Sequence, residues 1–62
     1  MTIYELFIVN NDWNKDTDLR ILNRDNSLYK TTSMAKMSEH DSGLEILGFS
    51  ENEIIVARKP DH

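Results

Sequence analysis

Ser38, His40 and Asp41 stand almost side by side and supply the residue types of a nucleophile, a base and an orienting carboxylate. In hydrolases these groups converge from separate parts of a chain onto a cleft with an oxyanion hole. Neighbours on one short loop do not reach that geometry, so the trio reads as a polar turn. A minor hydrolase or metal-dependent enzyme built on His40 and Asp41 is therefore only a third reading. Glu39, His40 and Asp41, or Asp61 with His62, offer oxygen and nitrogen donors, but their spacing matches no zinc or EF-hand motif. The expectation is solvated charge, with no catalytic residue, no metal and no cofactor. Gly43 and Gly48 are the only glycines, too few for a P-loop or a dinucleotide-binding fingerprint.

Charge points away from phosphate. Eleven acidic residues against seven basic ones give a net charge of -4. Glu39, Asp41, Glu45, Glu51 and Glu53 fall between residues 38 and 57, where there is no Lys or Arg. Direct nucleic-acid binding, which relies on neutralising phosphates, is disfavoured. Lys15, Arg20, Arg24 and Lys30, with Tyr29 among them, leave a minor basic patch as the weaker alternative to scattered surface charge. The start of the sequence lacks a signal-peptide pattern, and the run from Leu6 to Val9 is too short to cross a bilayer. No membrane association is expected. The absence of cysteine removes disulfides and thiolate metal sites, and fits a reducing cytoplasm.

The elements that must position any site belong to one small α+β domain, residues 1–62. A chain of 62 residues buries only about 60% of its unfolded surface, leaving no room for a deep enclosed pocket. Thr2-x-x-Glu5 has the form of a capping box and predicts a short helix over residues 3–9; its β-rich composition makes a strand the competing reading. Trp13, alone in a polar stretch, is expected to fold back over the core, with a role as partner anchor the alternative. Residues 18–23 and 28–32 flank a turn-forming cluster and predict a hairpin. With Asp25-Asn26 at its centre, Leu22 would oppose Tyr29, Ile21 would oppose Lys30 and Asn23 would oppose Leu28. Thr32-Ser33 before Met34 to Met37 predicts a short helical turn near 33–38, its methionines filling core gaps.

A second hairpin, 44–49 with 54–59, completes a small antiparallel sheet. A Glu51-Asn52 turn pairs Phe49 with Ile54, Leu47 with Val56 and Glu45 with Arg58 on one face. Gly48 with Ile55, Ile46 with Ala57, and Leu44 with Lys59 fall on the other. Pro60 ends the last strand, leaving Asp61-His62 as a mobile tail. Both faces of the hairpin are largely apolar, whereas one short helix covers one face.

Asp16-Thr17-Asp18-Leu19-Arg20-Ile21 leading to Asp25-Asn26, followed by Leu47-Gly48-Phe49-Ser50 and Ile54-Ile55-Val56, resembles small uncharacterised proteins of phages and prophages of low-GC Gram-positive bacteria. The resemblance implies an accessory protein in the cytoplasm of the bacterial host that binds a host or phage protein. It implies no catalytic or binding residues.

The patterning supports two functions. The first is a non-enzymatic protein-protein interaction module, self-associating as a homodimer or binding another protein, with Leu22, Tyr29, Ile46 and Ile55 as the candidate interaction surface. The alternative is an acidic inhibitor that occupies the basic nucleic-acid-binding groove of a partner through Glu39, Asp41, Glu45, Glu51 and Glu53.

Overall fold

The computed structural model describes residues 1–60, so the expectations for Asp61 and His62 lie outside the described residues. The element order is α1 (Ile3–Val9), β1 (Leu19–Leu22), β2 (Leu28–Thr32), α2 (Glu39–Ser42), β3 (Ile46–Ser50) and β4 (Glu53–Val56). The fold is α+β, with a four-stranded sheet in the order β2-β1-β4-β3. Each hairpin is antiparallel, but β1 and β4, which join the two hairpins, run parallel. The sheet is therefore mixed.

The helix reading of residues 3–9 holds for a local reason. The Thr2 hydroxyl accepts from the Glu5 amide at 3.2 Å, and the Glu5 carboxylate accepts from the Thr2 amide at 2.9 Å. Both ends of the capping box close, satisfying amides that the first turn leaves without partners. Ile3 and Leu6 then lie on the buried side of α1. Thr2 also bridges Glu45, and the Ile46 amide donates to the Met1 carbonyl at 2.8 Å. The start of the chain thus lines the outer edge of β3.

Both hairpins contain a bulge, and the bulges redistribute side chains between the faces. In the first, the Asn26 amide donates to the Asn23 carbonyl and the Asn23 amide to the Ser27 carbonyl. Asn26 takes a φ of 72°. This is a three-residue loop ending in a left-handed residue, rather than the expected two-residue turn. The loop places Leu22 opposite Leu28, so the pairings of Leu22 with Tyr29 and Asn23 with Leu28 do not form. The unpaired extra residue, Tyr29, restores the register, and Ile21 lies opposite Lys30 as expected. In the second hairpin, Phe49 faces Ile54 and Gly48 faces Ile55, but a bulge at Leu47 brings Ile46 opposite Val56. Glu45 consequently misses Arg58, and its carboxylate accepts from the Met1 amino group at 2.6 Å.

Residues 33–45 carry the chain from the edge strand β2 to the opposite edge strand β3. Met34 to Lys36 form a hydrogen-bonded turn rather than a helix, and α2 begins later, capped by Ser38. The core consists of Ile3, Leu6, Trp13, Leu19, Ile21, Ile54 and Val56, with Phe7, Tyr29, Met34, Met37, Leu44 and Ile46 packed against it. α1, Trp13 and the crossover therefore all cover the same face of the sheet. Trp13 is a core residue, and its indole N–H donates to the Glu51 carbonyl at 3.1 Å.

Candidate interaction surface

Of the three residues with catalytic potential, Ser38 and Asp41 are engaged in structure and His40 is exposed on α2. The Ser38 hydroxyl accepts from the Asp41 amide at 3.1 Å as the cap of α2. Asp41 is 2% exposed; its carboxylate accepts from the Tyr29 hydroxyl at 2.9 Å and the Lys30 ammonium at 2.8 Å. Burial pushes the Asp41 carboxyl up, but the hydrogen bonds from Lys30 and Tyr29 outweigh it and hold the group below its ordinary value. The same bond from the other side raises Lys30. The Arg58 guanidinium stacks on the Tyr29 ring at 3.8 Å and donates to the Asn23 side chain at 2.9 Å. The cluster ties the bulge in β2 to α2 and to the segment after β4. Among the described residues no buried side-chain polar atom lacks a partner, and no group of three or more His, Asp or Glu converges on a metal position.

Asp41 is accordingly no part of an acidic surface. The other four carboxylates come from separate elements, and two of them are already paired. Glu39 is exposed on α2, Glu45 holds the Met1 amino group, Glu51 is exposed in the β3–β4 turn, and Glu53 pairs with Arg20. Glu45 and Glu51 sit at opposite ends of β3.

The expected apolar surface is split by the bulges. Tyr29 and Ile46 pack against the core on the covered face, contrary to their expected place on an open one. Leu22 and Ile55 lie outside that cluster, and the regular pairing of β1 with β4 makes them neighbours on the other face. Leu28, opposite Leu22, joins them. Sequence reading missed Leu28 because the two-residue turn placed it opposite Asn23. Register partners extend this into a complete row across the sheet, Leu28–Leu22–Ile55–Gly48. A parallel row, Thr31–Arg20–Glu53–Ser50, supplies the polar half of the same face.

Leu28 is 53% exposed, Ile55 is half-buried, and Leu22 between them is buried at 9% exposure, so Leu28 and Ile55 supply the accessible apolar surface of the row. At the other end of the row, a Cβ added to Gly48 would meet nothing within 4 Å. The face is therefore a shallow apolar strip bounded by an ion pair, able to bind a surface rather than to enclose a small molecule. No helix among the described residues is long and apolar enough to cross a membrane. Comparison with protein-family models, curated proteins and solved structures gives no match.

Proposed function

We propose that this protein is a non-enzymatic interaction module that binds another protein surface through the open face of its sheet. The observation that carries the reading is the row Leu28–Leu22–Ile55–Gly48, which crosses all the strands on the side away from both helices. Apolar side chains in such a row lose water on contact, while Arg20 and Glu53 beside them set orientation. A phage-type accessory protein in the cytoplasm of a bacterial host is the setting we assign to it, in keeping with a cysteine-free chain. The scatter of Glu39, Glu45, Glu51 and Glu53, and the burial of Asp41, weigh against the acidic-inhibitor alternative.

Ile55→Glu tests the reading, with Ile54→Ala as its counterpart on the covered face. Ile55→Glu is expected to leave the free energy of unfolding within about 1 kcal/mol of the parent, whereas Ile54→Ala loses about 3 kcal/mol. Affinity capture from an extract of the encoding organism, read by mass spectrometry beside self-association in the analytical ultracentrifuge, reports binding. Loss of all association in Ile55→Glu is the expected result; a folded Ile55→Glu protein that associates as the parent does contradicts the proposal.

A further inference from the structure

The two rows on the open face have an internal order. In the first, a protruding Leu28 stands at the β2 edge and the bare backbone of Gly48 at the β3 edge, with Leu22 and Ile55 between them. In the second, Arg20 and Glu53 hold the centre, flanked by Thr31 and Ser50. A two-fold axis parallel to the strands, midway between two such faces, reverses the order of each row while keeping apolar row on apolar row and polar row on polar row. Leu28 of one copy then stands over Gly48 of the other, Leu22 over Ile55, Arg20 over Glu53 and Thr31 over Ser50. Large meets small, branched meets branched, and cation meets anion.

We propose that the occupant of the open face is a second copy of this chain, packed sheet on sheet about that axis. The proposal rests on the interaction-module reading above and names its partner. The arrangement is the aligned packing of a β-sandwich, in which two sheets lie about 10 Å apart with their strands about 30° from parallel. The other two-fold in the same plane, perpendicular to the strands, lays the apolar row over Arg20 and Glu53 and leaves charge against hydrocarbon. Edge-to-edge pairing is blocked at both ends of the sheet. β2 and β3 each carry a bulge, Lys30 points inward to Asp41, and the backbone of Met1 to Ile3 occupies the start of the β3 edge.

Size sets the strength. Four strands about 4.8 Å apart, each giving about four residues at 3.3 Å, make a face of roughly 19 by 13 Å. That is well short of the about 800 Å² per partner of a standard interface, so the dimer is weak, with a dissociation constant on the order of 100 µM.

Sedimentation equilibrium of the full chain from about 10 to about 1,000 µM brackets that value. Gly48→Leu fills the recess without disturbing the protomer, where the space is open. It is expected to raise the dissociation constant about tenfold or more, the scale of an overpacked contact. Adding Leu28→Ala to it moves the large residue to the other edge and returns the constant to within about threefold of the parent. Arg20→Glu likewise weakens the dimer, and Glu53→Arg added to it restores association, which gives a second route should Gly48→Leu fail to fold. A parent protein monomeric throughout, or a Gly48→Leu variant that associates as tightly as the parent, overturns the dimer. A monomer that still captures another protein through Ile55 overturns the dimer alone, whereas one that captures nothing overturns the interaction-module reading as well.

Discussion

Asp41 ties distant parts of the chain together, because its carboxylate joins α2 to Tyr29 and Lys30. Asp41→Asn removes the charge and leaves the Tyr29 hydroxyl with a weaker acceptor, while Lys30, with 42% of its side chain exposed, recovers water. The expected loss is about 2 kcal/mol, within the range for hydrogen bonds to charged groups. A chain of this size holds only about 3 to 9 kcal/mol in total. The pH dependence has two limbs. Asp41 is lowered on folding, so its contribution is present above the ordinary value of 3.8 and is lost as pH falls through the lower folded value. Lys30 is raised, so its contribution is present below 10.5 and is lost as pH rises through the higher folded value. The Met1 amino group, raised by its bond to Glu45, adds a contribution present below 8.0 that is lost as pH rises through its higher folded value, so urea titrations should show a plateau only between 4.5, the ordinary value of Glu5, and 8.0. Asp41→Asn should remove the Lys30 part of the alkaline limb and part of the acid limb, the remainders belonging to the Met1 amino group, which Glu45 raises, and to Glu5, which the Thr2 amide holds below its ordinary value. An unchanged profile would contradict the role given to Asp41. Its place was illegible as an ion-pair site because the partners come from β2 through a bulge, and no residue type marks a bulge. The cap at Ser38 was missed as well: the expected helical turn near 33–38 was given its cap at Thr32-Ser33, whereas α2 begins at Glu39 under Ser38, with the spacing of Thr2-x-x-Glu5.

At the scale of elements, short-range chemistry was readable and register was not. The helix at Ile3–Val9 and the four strands lie close to where capping, alternation and turn residues put them. The faces moved because a single extra residue in each edge strand, Tyr29 or Leu47, transfers its neighbours along the strand to the other side. Glu51 carries the strain of the second hairpin, with a φ of 48° at the first turn position alone, as in a type II′ turn. A side chain is disfavoured there, and the Glu51 group that Trp13 uses is its carbonyl. Glu51→Gly is expected to stabilise the protein by about 0.5 to 1 kcal/mol, read as a higher urea midpoint at unchanged slope. A lower midpoint would mean that the glutamate side chain contributes more than the backbone strain removes.

For the whole molecule, the decisive fact is where the covering material lies. Strand order β2-β1-β4-β3 obliges residues 33–45 to cross the sheet, and they cross on the side that α1 and Trp13 already shield. The scarcity of cover for a two-sided sheet was legible from length and patterning alone. The row on the other face was legible only in half, at Leu22, which is itself buried, and Ile55, because Tyr29 and Ile46 turn inward and Leu28 replaces them. The edges are guarded, so the proposed association uses the face. Methyl NMR with a soluble paramagnetic probe, on dilute protein, tests this asymmetry most directly. The methyl signals of Leu28 and Ile55 should broaden strongly while those of Ile21, Ile54 and Val56 stay sharp; equal protection of Ile55 and Ile54 would mean that both faces are closed within one protomer, contradicting the account.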